Sequence, residues 1–368
     1  MWQYIIIAVA VVFAAGLAYV SFRGARFTFV QKLSRGKKAP ARLICFAAFA
    51  LVTGALALLL GIFNALVCML HLFVFWGAAD LIGLVIVKAR KKKPRRYIAG
   101  AFAVLFCCGW MTYGWISAHN ARQTFYGFAS AEVTENVRIV QISDSHIGQV
   151  FDADGFAEYV EKINALSPDA VVIVGDFVDD DTSKEDMLGG CDALGKLKTK
   201  CGVYLVWGNH DRGYYSESRR GWSFAELRAR LEANGVTVLE DESADVAGNI
   251  RVIGRKDRSD KGRKTARELM SGADAGKYVV MLDHQPHDFA AEAEAGADLV
   301  LCGHTHGGQF IPIRHVGEWI GENDLRYGHK KLRNTDFIVS SGIGCWGFKF
   351  KTGCFSEYVI IDLKPAGE

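Results

Sequence analysis

The stretch at residues 137–146 reads VRIVQISDSH, an apolar strand that runs directly into four polar residues. Short apolar segments at 170–174, 203–206, 278–282 and 298–301 are predicted as strands and lead into polar residues in the same way. Between them lie segments whose apolar residues recur at helical spacing. This alternation predicts an α/β (α+β) fold with mixed sheets, in which sites form in the loops beyond the strand ends.

The polar residues beyond these strands are imidazole, carboxylate and amide groups. They are Asp144, His146, Asp176, Asn209, His210, Asp211, His284, His304 and His306. Alternate residues of an extended chain point the same way, so each Asp-x-His or His-x-His pair can present two ligands together. No thiolate stands at ligand spacing, which favours Mn²⁺, Fe or Zn²⁺ over a structural cysteine-zinc site. The set is too large for one tetrahedral ion and suits two ions that share a carboxylate.

The same pattern continues to the end of the chain. Helices are predicted at 183–198, 223–234, 262–271 and 287–295, and further strands at 236–239, 250–253, 336–340 and 357–363. We therefore expect the α/β domain to occupy residues 131–368.

Charge divides the chain of 368 residues near residue 120. Residues 1–120 contain 14 Lys and Arg and one acid, Asp80, whereas residues 121–368 carry a net charge of −10. The overall charge of +3 therefore describes neither part. An apolar content of 50% excludes an intrinsically disordered chain. The basic part lacks the polar surface of a nucleic-acid binder, so no nucleic-acid partner is expected.

The amino-terminal part is apolar enough to cross a membrane. Its uncharged or nearly uncharged runs predict a four-helix transmembrane region over 1–120, with helices at about 1–22, 43–61, 65–87 and 97–117. The basic residues follow the first run rather than precede it, which is the reverse of a signal peptide. We therefore expect the first run to be an uncleaved span.

Lysines and arginines collect in two connectors, residues 23–42 and 88–96, with seven in each. Under the positive-inside rule both connectors face the cytoplasm, where they contact anionic lipid headgroups. Both chain ends then lie outside. The α/β domain is therefore predicted to be extracytoplasmic and held at the cell membrane by a multi-pass anchor.

Asp80 lies within a predicted span, where an acid is costly and often functional. It stands eight residues before Lys88, and His71 falls roughly on the opposite helix face. We therefore expect Asp80 to reach the inner membrane interface or to pair with the basic cluster around Lys88, rather than to form a transport path.

In order along the chain, Asp-x-His, Gly-Asp, Gly-Asn-His-Asp, His and Gly-His-x-His resemble the motifs of calcineurin-like metallophosphoesterases over about residues 131–368. The stretch from Gly303 to Gln309 resembles the bacterial membrane-associated branch of that family. The resemblance implies a two-sheet sandwich flanked by helices. It implies one metal ion on Asp144, His146, Asp176 and His306, and a second on Asp176, Asn209, His284 and His304. It also implies that His210 is the catalytic histidine near the scissile phosphate and is oriented by Asp211.

The reaction implied by the resemblance is hydrolysis of a phosphodiester, phosphomonoester or pyrophosphate bond by a metal-activated hydroxide. A membrane anchor suits a lipid-linked or envelope substrate such as UDP-2,3-diacylglucosamine. Because the predicted orientation fits a cytoplasmic nucleotide-lipid poorly, a phospholipid, envelope or extracellular nucleotide ester stays equally open. The alternative is a catalytically weak metal-binding scaffold or interaction module on the membrane. No protein partner can be deduced from the sequence.

Several charged residues near the motifs have an open role. Asp179 fits a tendency of the family, whereas Asp180 and Asp181 are typical of a solvated acidic loop. Lys349 and Lys351 stand where relatives tend to have Pro and Arg, and they either face phosphate or lie at a solvated strand edge.

The nine cysteines divide between the two parts of the chain. Four fall in the predicted spans, where they pack as small apolar residues. In an extracytoplasmic domain Cys191 with Cys201 and Cys345 with Cys354 could form disulfides, and spacing alone does not decide whether they do.

Overall fold

The computed structural model describes residues 2–92, 94–272 and 276–367, and in the first helix it describes the side chain of residue 7 and those from residue 9 onward. The chain divides into two compact units, one ending at Tyr113 and the other beginning at Gly114.

Apolar helices form the first unit and lead into the second. They are α1 (Trp2–Gly24), α2 (Thr28–Leu33), α3 (Lys38–Leu60), α4 (Ile62–Arg90) and α5 (Ala99–His119). The helices α3, α4 and α5 are each long and apolar enough to cross a membrane, which confirms three of the four predicted spans as helices of that kind. In α1 the described apolar part, Val9–Gly24, is shorter than a span, and the rest of that prediction lies outside the described side chains. A single glycine, Gly61 (φ 89°), makes the reversal between α3 and α4.

Asp80 pairs structurally, but its partner differs from the expected one. The guanidinium of Arg23, at the end of α1, donates from Nε and Nη2 to the two carboxylate oxygens of Asp80, each at 2.5 Å. The hydroxyls of Tyr19 and Tyr97 donate to the same carboxylate at 2.6 and 2.8 Å. The expected pairing with the Lys88 cluster is therefore wrong, because the planar fork of the arginine occupies both carboxylate oxygens.

The first basic connector contacts the residue that directly follows the second one. Arg23 and Arg26, at the start of the first connector, lie 5.1 and 5.0 Å from the ring centroid of Tyr97. Tyr97 directly follows the second connector. The helices α1, α4 and α5 are thus fastened together at their connector ends.

The second unit contains two six-stranded sheets. The strands are β1 (Arg122–Ser130), β2 (Val137–Ile142), β3 (Ala170–Val174), β4 (Val203–Val206), β5 (Val236–Val238), β6 (Glu242–Val246), β7 (Ile250–Gly254), β8 (Tyr278–Leu282), β9 (Leu299–Cys302), β10 (Gly328–Leu332), β11 (Thr335–Val339) and β12 (Glu357–Pro365). The first sheet has the order β1-β12-β2-β3-β4-β5, and the second has the order β10-β11-β9-β8-β7-β6. The helices are α6 (Ala153–Asn164), α7 (Lys184–Leu194), α8 (Glu217–Arg220), α9 (Phe224–Ala233), α10 (Ala266–Ser271), α11 (Phe289–Ala295) and α12 (Val316–Trp319).

The sheets pack face to face with helices on both outer faces. Their shared core contains Val172 and Val206 of the first sheet together with Val280 and Leu301 of the second. The other face of the first sheet packs against α6, α7 and α9, and the other face of the second sheet packs against α10 and α11. The expected two-sheet sandwich flanked by helices is therefore confirmed.

Parallel pairing brings the ends of the motif-bearing strands together. In the first sheet β2, β3 and β4 are parallel neighbours, and Val174 lies opposite Val206 at their carboxyl ends. In the second sheet β8 and β9 are parallel, with Leu282 opposite Leu301. Each predicted site residue lies in a loop that directly follows one of these five strands.

Three strands of the sandwich, β1, β6 and β10, are absent from the sequence-based prediction. Each lies at an edge of its sheet, and each leaves much of its surface exposed. Edge strands need few apolar residues, so their sequences lack the apolar runs that identify the central strands.

All nine cysteines are free thiols, so neither of the two open disulfide pairs is formed. Cys191 is buried in the core between the first sheet and its helices, whereas Cys201 packs against the core between the sheets. These two cores lie on opposite faces of the first sheet, which separates the two thiols.

Candidate metal centre

Two clusters of candidate ligands lie beyond the strand ends. One consists of Asp144, His146 and His306, and the other of Asp176, His284 and His304. Within each cluster the ligand atoms lie within 4.8 Å of one another. The structure thus brings together six of the seven side chains that the sequence suggests as metal ligands.

The backbone of these residues is strained. The φ angles are positive at Asp144 (52°), His146 (39°), Asp176 (53°), His304 (69°) and His306 (48°). A non-glycine residue in this region costs about 1–3 kcal/mol, so such residues are usually retained where function requires them. Five of them around one space indicate that the loops are shaped for the position of their side chains.

Asp176 lies between the two clusters. Its Oδ2 atom is 3.0 Å from His284 Nε2 and 3.6 Å from His146 Nε2, so one carboxylate oxygen faces both groups. Its Oδ1 atom accepts a hydrogen bond of 2.8 Å from the backbone amide of His210. The sequence identifies Asp176 as the shared carboxylate only through the family resemblance, whereas here its position between the clusters is explicit.

Two of the histidines are held by hydrogen bonds on their far nitrogen. His146 Nδ1 lies 3.1 Å from Asp179 Oδ2, and His284 Nδ1 lies 2.8 Å from the carbonyl oxygen of Val174. Donation from Nδ1–H in each case leaves Nε2, the nitrogen near Asp176, as the one that could bind a metal after loss of any proton it carries. This is the arrangement in which a second group fixes the tautomer and orientation of a metal-binding imidazole.

The candidate ligands end in buried lone pairs for which the described part of the chain supplies no hydrogen-bond partner. These atoms are Asp144 Oδ2, His146 Nε2, Asn209 Oδ1, His284 Nε2, His304 Nδ1 and His306 Nδ1. A buried polar atom left unpaired costs about 1–3 kcal/mol. Imidazole, carboxylate and amide lone pairs that converge in this way fit divalent metal ions.

Comparison with known proteins places these residues in a family. The model of the calcineurin-like phosphoesterase family matches residues 137–308, which contain every candidate ligand. A metallophosphoesterase of Aquifex aeolicus is 32% identical over 240 residues, covering 63% of this chain and 86% of that protein. The chain belongs to the calcineurin-like metallophosphoesterases.

Other members of the family are longer than the matched region. A transmembrane protein with metallophosphoesterase domain from Danio rerio is 30% identical over 250 residues, or 64% of this chain and 55% of that protein. A metallophosphoesterase of Campylobacter jejuni is 30% identical over 235 residues, or 62% of this chain and 60% of that protein. The chain therefore spans little more than half the length of these two relatives.

Asn209 is the seventh candidate ligand of this metallophosphoesterase and lies outside the two clusters. Its Oδ1 atom is one of the buried lone pairs, and its Nδ2 atom donates to the hydroxyl of Tyr214 at 2.9 Å. The tyrosine therefore fixes the orientation of the side-chain amide. Tyr214 belongs to no sequence motif, and no signal in the sequence identifies it.

His210 faces the centre without being one of the clustered ligands. Its ring centroid lies 4.8 Å from that of Trp346, 5.1 Å from Tyr214 and 5.3 Å from His146. Burial lowers the pKa of His210, so the imidazole is neutral at neutral pH. A neutral imidazole beside a phosphate site can still donate one N–H to an oxygen.

The hydrogen-bond partners of Asp211 differ from the one that the resemblance implies. Its carboxylate accepts hydrogen bonds from the backbone amides of Asp176 (3.0 Å), Val178 (3.1 Å) and Gly208 (2.7 Å). Asp211 therefore fixes the two loops that carry Asp176 and His210, whereas the resemblance implies that it orients the His210 ring. Any influence of Asp211 on His210 would therefore act through the backbone.

Two glycines permit the close approach of the metallophosphoesterase loops. A Cβ atom at Gly208 would lie 2.2 Å from Asp176 Oδ1, and one at Gly303 would lie 2.4 Å from Asp144 Oδ2. Any side chain at these positions would displace a candidate ligand.

Electrostatics keep several ligands in the form that binds metal. Burial and the neighbouring His284 lower the pKa of His304 to about 4, and burial also holds the pKa of His306 well below its ordinary value. Burial opposes ionisation of Asp176, but the imidazole of His284 holds the pKa of this carboxyl well below its usual range. Neutral imidazoles and an ionised carboxylate are the protonation states that metal binding requires.

His284 is one of the candidate ligands at which a proton would compete with metal. Burial disfavours its cation, yet the charge of Asp176 raises the pKa of His284 well above its ordinary value. Without metal, a proton on Nε2 offsets the carboxylate charge. Binding of a cation must release that proton, so metal affinity falls as the pH is lowered.

Lys351 differs from both interpretations of the sequence, and Asp180 differs from its expected solvated position. Lys351 is fully buried, and its ammonium donates to the carbonyl oxygens of Ser341 (2.6 Å) and Gly342 (3.1 Å). It therefore faces neither phosphate nor solvent. Asp180, expected in a solvated loop, accepts from the backbone amide of Tyr214 at 2.8 Å and so supports the residue that holds Asn209.

Proposed function

We propose that the chain is a membrane-anchored dinuclear phosphoesterase. The observation that carries this proposal is the pair of buried ligand clusters, in which Asp176 Oδ2 lies near His284 of its own cluster and near His146 of the other. One ion would be held by Asp144, His146, Asp176 and His306, and the other by Asp176, Asn209, His284 and His304. Mn²⁺, Fe and Zn²⁺ all suit this mixture of nitrogen and oxygen donors.

Two bound divalent ions would lower the pKa of a water molecule and neutralise charge on the phosphoryl oxygens. The remaining work falls to the protein side chains. His210 is placed to donate an N–H to a phosphoryl or leaving-group oxygen, since its ring is beside the clusters and its backbone is fixed by Asp176. Trp346 and Tyr214 pack around the His210 ring and limit its movement.

The substrate class follows from this chemistry and from the anchor. The site suits a phosphodiester, phosphomonoester or pyrophosphate bond. The helices α3, α4 and α5 and the name of the Danio rerio relative support attachment to a membrane. The positions of the basic connectors favour a catalytic domain outside the cytoplasm. A phospholipid or envelope ester then fits better than a cytoplasmic nucleotide-lipid such as UDP-2,3-diacylglucosamine.

A panel of soluble esters tests the proposed activity. The detergent-solubilised full chain would be assayed with p-nitrophenyl phosphate, bis(p-nitrophenyl) phosphate and pyrophosphate, with Mn²⁺ and after metal removal. We expect turnover of at least one compound only in the presence of metal. If two metals bind and none of the compounds is hydrolysed, the scaffold alternative replaces this proposal.

A further inference from the structure

A cluster of large apolar side chains faces solvent in the loop that follows the His304–His306 motif. We call residues 311–320, with the sequence IPIRHVGEWI, the apolar segment. Its exposed side chains are Ile311, Ile313, Val316, Trp319 and Ile320, and the last two are 74% and 67% exposed. An exposed apolar cluster of this kind marks a surface that meets another molecule or a membrane.

The polar residues of the apolar segment turn inward instead. Arg314 donates from Nε to His315 Nε2 at 3.1 Å and from Nη1 to the carbonyl of Gly353 at 3.4 Å. Glu318 accepts from the backbone amide of Arg326 at 3.0 Å and lies 2.8 Å from His315 Nδ1. The segment therefore pairs its charges and exposes its apolar groups, which is the reverse of an ordinary soluble loop.

The apolar segment is attached to the loop at residues 350–353. The backbone amides of Thr352 and Gly353 both donate to the carbonyl of Gln309 at 2.9 Å. The amide of Ile311 donates to the Thr352 hydroxyl at 3.3 Å. The position of the segment is thus set by this loop.

The same loop receives the end of α5. The amide of Lys351 donates to the carbonyl of Gly114 at 2.9 Å, and the rings of Trp115 and Phe350 lie 5.6 Å apart. Because α5 is long and apolar enough to cross a membrane, its carboxyl end is where the chain leaves the bilayer if it spans one. The apolar segment lies one loop away from that point.

The loop also leads to the candidate metal centre. The side chain of Gln309 donates to the carbonyl of Phe348 at 3.4 Å. Two residues earlier, Trp346 is exposed and packs against His210. The stretch at residues 346–353 therefore contacts both the apolar segment and the residue that we place beside the phosphate.

We propose that the apolar segment inserts into the headgroup region of the bilayer that holds α5, and that the centre receives a phosphate ester carried by a membrane lipid. This inference rests on the proposed function. An exposed Trp beside aliphatic residues is typical of the membrane–water interface. The carboxyl end of α5 lies in the same unit as the apolar segment. The nearest apolar partner is therefore a bilayer rather than a second copy or another protein.

Fluorescence quenching tests the position of the segment without using activity. The full chain would be placed in nanodiscs of phosphatidylcholine and phosphatidylglycerol, with or without bromine atoms on the upper acyl chain. Bromine quenches Trp by contact, so the quenched fraction of the emission should fall in Trp319→Phe. It should not fall in the matched control Trp222→Phe, whose indole is buried beneath the helices of the first sheet.

An equal quenched fraction in the parent and in Trp319→Phe would overturn the proposal. The same holds if the parent is dimeric in nanodiscs and the double variant Ile313→Ser/Trp319→Ser is monomeric, because a second copy would then be the partner. Folding of each variant is checked by its content of bound Mn²⁺, which should equal that of the parent.

Kinetics test delivery of the substrate. For Ile313→Ser/Trp319→Ser we expect about a tenfold loss of kcat/KM on p-nitrophenyl hexadecyl phosphate in the nanodisc, because apolar contact with the bilayer is lost. Hydrolysis of soluble bis(p-nitrophenyl) phosphate should stay at the parental rate. Equal losses on both esters would contradict interfacial delivery, whereas a parent inactive on both esters would contradict the proposed function and leave the quenching result to stand alone.

Discussion

Individual side chains around the centre divide into ligands and the groups that hold them. His146 supplies a lone pair, but its orientation depends on Asp179, which is 2% exposed and lies 3.1 Å from Nδ1. Since the carboxylate stabilises the tautomer that binds metal, we expect Asp179→Asn to weaken metal binding by about 10–100-fold. Metal titration followed by elemental analysis measures this loss.

The matched control is Asp181→Asn, two residues away on the same loop, where the side chain is 64% exposed. This variant should bind metal as tightly as the parent. If both variants or neither lost affinity, Asp179 would have no special part in holding His146.

Substitutions at His210 and Asp176 should distinguish a loss of turnover from a loss of metal binding. We expect His210→Ala to keep its metal and to lose about 10²–10⁴-fold in phosphodiester turnover, since the lost group would assist proton transfer or stabilise charge. Asp176→Asn should lose metal, because this carboxylate lies between the two clusters. Metal content and hydrolysis of bis(p-nitrophenyl) phosphate are measured on the same samples, and full turnover by His210→Ala would exclude the proposed role.

The sequence predicts the ligands at this scale but not their supports. Asp144 and His146 are recognisable because ligand chemistry requires certain residue types directly after a strand. The supporting contacts of Tyr214 and Asp211 depend on how separate loops turn toward each other. Such contacts leave no spacing pattern in the chain, so Asp211 was expected to orient a ring that it does not hold.

At the scale of elements, α11 is joined to the second sheet by a buried charge network. Arg255 Nη1, in the loop after β7, lies 3.0 Å from Asp283 Oδ2 and 3.3 Å from Glu292 Oε1. Its Nη2 atom lies 3.0 Å from Asp288 Oδ2. The network holds the start of α11 beside the loop that carries His284.

Glu292 makes the stability of this element depend on pH. Burial and the charge of Asp283 raise the pKa of Glu292 well above its ordinary value. The folded chain therefore keeps this proton to a higher pH than the unfolded chain does, so the free energy of unfolding falls as the pH rises above about 4.3. Glu292→Gln removes this pH-dependent loss of stability. The variant should therefore show a smaller difference in unfolding temperature between about pH 5 and pH 8 than the parent does.

The variant should also unfold at a higher temperature than the parent at the upper pH, by about 2–4 °C for each kcal/mol regained. Thermal unfolding of the detergent-solubilised full chain, followed by intrinsic fluorescence, gives both values. Glu294→Gln is the control, since Glu294 lies on the same helix and is 56% exposed. A pH dependence in Glu292→Gln equal to that of Glu294→Gln would contradict the assignment.

Element prediction from sequence succeeds where burial is complete. The five strands before the centre agree with their predicted bounds to within one residue, because central strands covered on both faces need nearly continuous apolar residues. The edge strands β1, β6 and β10 face solvent and carry no such requirement. The apolar spans are likewise predictable, because their composition alone identifies them. The partner of Asp80 is not, because it depends on how α1 and α4 pack.

For the whole molecule, the number of spanning helices decides on which side the metal centre works. Between the connector at 23–42 and the phosphoesterase domain lie α3, α4 and α5, an odd number of helices that can cross a membrane. If all three span, the first connector and the domain lie on opposite sides, whatever α1 does. The second connector then lies with the first, which agrees with the contacts of Arg23 and Arg26 with Tyr97.

By the positive-inside rule, the seven Lys and Arg in each connector predict that both connectors face the cytoplasm, so the domain should lie outside. We expect alkaline phosphatase fused after Glu368 to be active, since its disulfides form only outside the cytoplasm. The same enzyme inserted at the exposed turn around Gly36 should be inactive. A green fluorescent protein that folds only in the cytoplasm should give the reverse pattern at the two sites. Fluorescence from the fusion after Glu368 would place the centre inside the cell and restore a cytoplasmic nucleotide-lipid as a substrate.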